Sequence, residues 1–185
     1  MIELRRYRRH EIPPLFAAQI ASYQRIQWPS IRAKSNRLWD FDDANRDFVH
    51  FVLVDEEIVI SHASVNWRDV TLDAERFSVW GMSSVFTYPA FRKGGFATKT
   101  VAAATDCMRS GTGDLAMLFT GEPLVKFYSA IGWEYVPTAR IFYGDPKTPL
   151  QKTDNAIMML FISDRARKTR ERFAKEDVFV GPQTW

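Results

Sequence analysis

The stretch of this sequence best suited to chemistry is Arg92-Lys93-Gly94-Gly95-Phe96-Ala97, a loop between a β-like run, Phe77 to Phe86, and a helix-like run, Thr98 to Met108. At a strand-to-helix junction the first N–H groups of the helix lack internal partners and carry the positive end of its dipole, so they suit a pyrophosphate. Gly94 and Gly95 let an anion approach the main chain and permit positive φ. The loop therefore predicts a cofactor with a diphosphate, against the plainer alternative of a surface turn that starts a helix. Neither G-x-G-x-x-G nor the P-loop Lys-Ser/Thr pair occurs at this junction.

A second group follows in Phe127-Tyr128-Ser129-Ala130-Ile131-Gly132-Trp133. Leu124, Phe127, Tyr128 and Ile131 have the i, i+3, i+4, i+7 spacing of a core-facing stripe, with Pro123 at its start and Gly132 at its end. Tyr128 is either a core residue or an acid, since a phenol can supply a proton to a departing thiolate when well placed. Between the two groups Leu115 to Thr120, bounded by glycines, reads as a buried strand.

The string Arg92-x-x-Gly95-x-Ala97 resembles the acetyl-coenzyme A loop of the GCN5-related N-acetyltransferase (GNAT) superfamily, and Tyr128 four residues before Gly132-Trp133 resembles that family's other recurrent segment. The resemblance implies acetyl-CoA as cosubstrate, held by Arg92, Lys93, Gly94, Gly95, Phe96 and Ala97 and by main-chain groups of Val85, Phe86 and Thr87. It implies Tyr128 as general acid and an amine on a small molecule as acceptor. Many relatives carry a glutamate nine residues ahead of the loop arginine; here that position is Ser83. Glu122, Glu134, Asp154 or the terminal carboxylate could act through water, or Ser83 and Ser84 could hold that water. Toward the C-terminus, Thr148-Pro149, Asp154, the strand Ala156 to Ile162 and the final Trp185 are similar in order to aminoglycoside 2′-N-acetyltransferases and, more distantly, nodulation N-acyltransferases. That likeness implies Asp154 and Trp185 as acceptor-binding residues and an amino sugar as one acceptor class. A turn residue and a tail anchored by its indole are the plain readings of the same two positions.

The elements that must position these groups are legible in outline. Ile2 to Tyr7 reads as a strand, and Glu11 to Gln27 as a helix opened by Pro13-Pro14 with Leu15, Ala18 and Ser22 at helical spacing. Ser30 to Asn45 is polar and irregular apart from Trp39 and Phe41, and the resemblance makes it an acceptor-site wall. Phe48 to Val54 and Ile58 to Val70 are β-rich and joined by a turn at Asp55-Glu56-Glu57. Phe77 to Phe86 carries apolar groups on both faces, as a doubly covered strand does. Ala97, Val101, Ala104 and Met108 form one stripe, beside which Cys107 reads as a buried, inert thiol. Asp164 to Lys175 reads as a helix crowded with Arg165, Arg167, Lys168, Arg170 and Arg172, which makes a solvated face or an RNA or acidic-partner patch.

With 185 residues, 46% of them hydrophobic, and no Pro/Gly/Ser-rich linker, the chain is expected to form one domain, residues 1–185. Its expected class is α/β, a GNAT-like mixed, mostly antiparallel central sheet flanked by helices. One cysteine excludes an internal disulfide, and three scattered histidines argue against a metal site. No apolar run is long enough for a membrane span, and the net charge of +3 is too small to suggest nucleic acid. A cytoplasmic enzyme, with a homodimer left open, is the resulting expectation. The competing classes are a noncatalytic acyl-CoA-binding or regulatory module and a nucleic-acid or protein binder that uses the basic helix.

Overall fold

The computed structural model describes residues 1–29 and 47–185; the acceptor wall expected at Ser30 to Asn45, with Trp39 and Phe41, lies outside them. The chain divides into two compact units, residues 1–66 with 84–104 and residues 67–83 with 105–185.

The first unit begins with β1 (Ile2–Arg8), β2 (Val49–Asp55) and the first part of β3 (Ile58–Leu72). These pair antiparallel, Ile2 opposite Asp55 and Val49 opposite Val65, with a register shift between Leu53 and Val54. Glu56, at φ 54, makes the β2–β3 turn where the sequence places it. Helix α1 (Pro14–Gln27) takes Pro14 at its first position, where no N–H is needed. It buries Phe16, Ala17, Ile20 and Tyr23 against Val52, Val54, Val59 and Phe86. The expected stripe is corrected by one position: Leu15, Ala18 and Ser22 face solvent, because two large apolar groups, Phe16 and Ile20, outweigh Leu15. The unit also contains the end of β4 (Glu75–Thr87) and most of α2 (Phe96–Arg109), where Val101 and Ala104 are buried as the stripe requires.

The second unit holds the rest of β3, β4 and α2 together with β5 (Leu115–Thr120), α3 (Val125–Ala130), β6 (Glu134–Tyr135), β7 (Arg140–Tyr143), β8 (Gln151–Lys152), β9 (Ala156–Phe161), α4 (Asp164–Lys168), α5 (Arg170–Lys175) and β10 (Asp177–Phe179). The strand order is β6-β9-β5-β4-β3-β10-β7-β8. The β4–β5 and β10–β7 pairs are parallel, whereas β5–β9, β6–β9, β7–β8 and β10–β3 are antiparallel. The fold is thus α/β with a mostly antiparallel sheet and accompanying helices. Phe77, Val79, Leu115, Met117, Ile157, Met159 and Phe173 fill the core of this unit. On the other face of β4, Trp80 lies against Gly111 and Gly113, where a Cβ would press on or overlap its indole.

Three further expectations are corrected here. The basic helix is two helices, broken at Thr169, whose hydroxyl donates to the Arg165 and Ala166 carbonyls. Its cations are largely engaged: Arg167 with Asp164 at 2.6 Å, Arg170 with Glu134, Arg172 with Glu176 at 2.8 Å and Glu75, and Arg165 over the Phe77 ring at 4.2 Å. Cys107 is partly exposed rather than buried, since it flanks the Ala104–Met108 stripe. In the second motif Leu124 is exposed and Tyr128 is the buried member, because only six residues after Leu124 are α-helical. Among the described residues no helix is long and apolar enough to cross a membrane, and no three metal-ligating side chains gather.

Candidate active site

In the first unit, residues Pro89–Phe91 form a single 3-10 turn that delivers the chain to the glycine loop. Lys93 has φ 69 and Gly95 φ 75, two left-handed residues around Gly94. The two glycines serve different ends. A Cβ at Gly95 would meet nothing within 4 Å, so Gly95 is needed for its φ; at Gly94 it would sit 2.7 Å from the Phe96 ring, which would have to shift to make room. Lys99 N–H donates to the Gly95 carbonyl at 3.1 Å, and the helix's own ladder supplies no acceptor for the N–H groups of Phe96, Ala97 and Thr98. Arg92 through Gly95 are exposed. The loop therefore offers backbone donors and a positive dipole end to an anion.

The Arg92 guanidinium, though exposed in part, reaches two partners. Its Nε donates to the Thr87 carbonyl at 3.2 Å and its Nη2 to the Tyr23 hydroxyl at 2.7 Å. Tyr23 in turn lies against Phe86 and Tyr88, ring centres 4.6 and 4.5 Å away. The arginine ties the loop to the end of β4 and to α1. Val85 is partly exposed, and Phe86 and Thr87 are buried.

The end of β4 is not a regular strand. Ser84 has φ 53, uncommon for a residue with a Cβ. Its carbonyl lies 2.8 Å from His62 Nδ1, and His62 Nε2 lies 3.0 Å from His50 Nδ1, with both rings buried. A carbonyl only accepts, so His62 Nδ1 carries the proton, its Nε2 accepts, and His50 Nδ1 donates. Burial foremost pushes His50 down to about 4, with Arg9 adding to it. Burial, then His50, pushes His62 down to about 3 against the Ser84 hydrogen bond. Two carbonyls are held this way: Ser61 Oγ donates to the Phe86 carbonyl at 2.9 Å and accepts from Thr87 Oγ1 at 2.9 Å. The histidines scattered in sequence thus include a contacting pair, which sequence reasoning missed. The hairpin register carried the signal: Val52 opposes His62 and His50 opposes Ser64, so the two rings are diagonal neighbours on one face.

In the second unit, Tyr128 is on α3. Gly132 has φ 93, its N–H donates to the Ser129 carbonyl and that of Trp133 to the Tyr128 carbonyl, which is a Schellman ending. The spacing of the tyrosine to Gly-Trp is therefore that of a helix C-cap. It folds Trp133 back to an edge contact with Tyr128, centres 6.5 Å apart, and lets its indole donate to Thr105 Oγ1 at 3.0 Å. Burial pushes the Tyr128 phenol up to about 12, so it is protonated at neutral pH. Ser83 is partly exposed on β4, and Asp154 is exposed in the turn between β8 and β9. Trp185 lies flat on Gly81, where any Cβ would overlap the indole. The Arg68 guanidinium is 4.0 Å from the ring centre, and the Phe119 ring is stacked at 5.8 Å. Arg68 also donates to the carbonyls of Val180 and Gln183. The structure thus brings Trp185 to within two residues of Ser83 along β4.

Residues 3–136 match the model of the acetyltransferase (GNAT) domain. An acyl-CoA N-acyltransferase from Pseudomonas aeruginosa is similar in fold, with a TM-score of 0.61 at 10% identity over 86% of this chain and 99% of that one. The GNAT family N-acetyltransferase YhbS from Escherichia coli, in complex with CoA, gives 0.60 at 18% identity over 96% and 88%. NAA60 from Arabidopsis thaliana, in complex with acetyl-CoA, gives 0.61 at 14% identity over 88% and 100%. No curated protein matches the sequence. With a family model covering well over half its length, this chain belongs to the GNAT acetyltransferases.

Proposed function

We propose that this chain transfers the acetyl group of acetyl-CoA to a primary amine of a small molecule, with an amino sugar as the acceptor class to test first. The loop from Arg92 to Ala97 carries the reading: left-handed Lys93 and Gly95 open a fourteen-residue helix whose first N–H groups suit a diphosphate. The residues present fit that group. Gly94, Gly95, Phe96 and Ala97 would hold the diphosphate, and Val85 and Thr87 the arm that leads to the acyl group. Acetyl-CoA supplies an activated acyl group as a thioester.

The chain's own contribution is positioning and one proton. Tyr128 is protonated at neutral pH and is the candidate acid for the departing thiolate. A thiol near 8.5 lies about 3.5 units below a phenol near 12, so full transfer is uphill by about 5 kcal/mol. The phenol therefore acts by hydrogen bonding to developing charge more than by completed transfer. Ser83 bears no carboxylate, so deprotonation of the amine falls to water, held near Ser83 or passing the proton on to Glu122, Glu134, Asp154 or the terminal carboxylate. Asp154 and Trp185 are assigned to the acceptor, Asp154 by charge and Trp185 by its proximity to Ser83. A noncatalytic acyl-CoA-binding module is the second reading, which Ser83 favours.

A thiol-release assay with acetyl-CoA and a panel of amines decides between them. Amine-dependent release supports the enzyme, and binding of CoA without release by any amine supports the module.

A further inference from the structure

Two carbonyls at the end of β4 are held by side chains of β3: that of Ser84 by His62, backed by His50, and that of Phe86 by Ser61. In a trans peptide the C=O of one residue and the N–H of the next point in opposite directions. Holding the Ser84 carbonyl toward His62 therefore turns the Val85 N–H away from it, and holding the Phe86 carbonyl toward Ser61 does the same for Thr87. The left-handed Ser84 is what aims the first of these peptides, and a residue with a Cβ keeps that conformation only when its surroundings enforce it. His62 supplies the enforcement. Its ring is wholly buried, packed at 5.3 Å from both the Phe86 and the His50 rings, so its Nδ1 cannot swing off the carbonyl. The backing ring fixes the tautomer: with His50 donating to Nε2, the His62 proton stays on Nδ1.

We infer that His62, backed by His50, is a positioning residue that aims the Val85 N–H as the hydrogen-bond donor to the carbonyl oxygen of the acyl donor. The inference rests on the acyl-donor reading above. It assigns to this chain a buried imidazole pair as the support for a donor whose use is to meet charge that grows on that oxygen. Neither ring touches substrate.

The test compares two ligands that differ at that carbonyl: CoA, which has none, and acetyl-carba(dethia)-CoA, an inert ketone in which a methylene replaces the thioester sulfur and the carbonyl keeps its place. Their affinities are measured by calorimetry on the full chain. Wild type should prefer the ketone. In His62→Gln the amide reaches His50 but not Ser84, and the preference should fall about five- to tenfold with CoA affinity held within about twofold. In His62→Asn the amide nitrogen takes the place of Nδ1, and the preference should be kept although the contact with His50 is lost. Turnover should follow, falling roughly ten- to a hundredfold in His62→Gln, in kcat more than in KM for acetyl-CoA, and recovering in His62→Asn.

Equal preference in wild type, His62→Gln and His62→Asn overturns the inference, as does equal weakening of both ligands in step with the melting temperature. Should wild type bind CoA yet acetylate no amine, the acceptor reading fails while the ligand ratio still decides the role of His62. If it binds neither ligand, both fall.

Discussion

Replacing Gly81 with alanine puts a methyl group where the Trp185 indole lies, and the β4 backbone cannot retreat, because Val79 to Gly81 is its paired stretch with β5. The indole must leave. What it gives up can be read from its neighbours: the Arg68 guanidinium at 4.0 Å, worth about 0.5 to 2 kcal/mol, and the Phe119 ring at 5.8 Å, worth about 0.5 to 1.5 kcal/mol. A loss of about 2 kcal/mol raises the detached population of the tail some thirtyfold. Detachment should stop near Val180, where Arg68 holds the main chain and the residue itself is buried. Hydrogen exchange of residues 181–185 in Gly81→Ala measures this directly, and a Trp185 deletion in both backgrounds closes a double-mutant cycle. The expected coupling is about 2 kcal/mol, because without the indole the overlap that the new methyl creates is gone. If Trp185 also forms a wall for the acceptor, both changes raise the acceptor KM and leave that of acetyl-CoA unaltered. Unchanged exchange in Gly81→Ala, or a coupling under about 0.5 kcal/mol, refutes the slot as the anchor of the tail.

Three other outcomes are expected. Tyr128→Phe should lower kcat roughly ten- to a hundredfold in the thiol-release assay with little change in CoA affinity; a larger fall in affinity than in kcat would move Tyr128 to the core. Gly95→Ala should cost about 1 kcal/mol of stability through its φ, with no clash in the free protein, yet weaken CoA by tenfold or more in calorimetry as the methyl stands over the helix N-terminus. Stability should fall with pH on the acid side. His50 and His62 are neutral when folded, near 4 and 3, and take up protons near 6.5 when unfolded, so each contributes stability above about 6.5 that is lost progressively as pH drops toward those values. At pH 5 that is about 2 kcal/mol apiece, and His50→Phe should flatten the slope of melting temperature against pH between 6.5 and 4.

Much of the local geometry of the candidate site is legible because local rules write it. The loop declares itself by two glycines before a helix stripe, and the tyrosine segment by a glycine four residues after Tyr128, which the structure explains as a Schellman ending. The turn at Glu56 and the buried runs of β2, β5 and β9 follow from apolar patterning of adequate length. The short strands β6, β7, β8 and β10 do not: two to four residues cannot show a period, and they exist because longer neighbours or each other's edges complete their hydrogen bonds. The face of α1 went wrong for a related reason, since spacing alone cannot tell a stripe led by Leu15 from one led by Phe16.

The part that sequence could not supply is the backbone of Ser84. Nothing in a serine signals a left-handed residue inside a strand; the conformation is held from β3, where a histidine twenty-two positions earlier reaches the Ser84 carbonyl and the β2–β3 hairpin places His50 behind it. A glycine there would adopt the same φ more cheaply, but would leave the peptide free to turn. A serine held by a buried ring keeps one orientation at a cost of order 1 kcal/mol. On the inference drawn above, that exchange of local stability for a fixed N–H serves the donor aimed at the acyl carbonyl, and the ligand comparison in His62→Gln and His62→Asn separates that role from one in the fold alone.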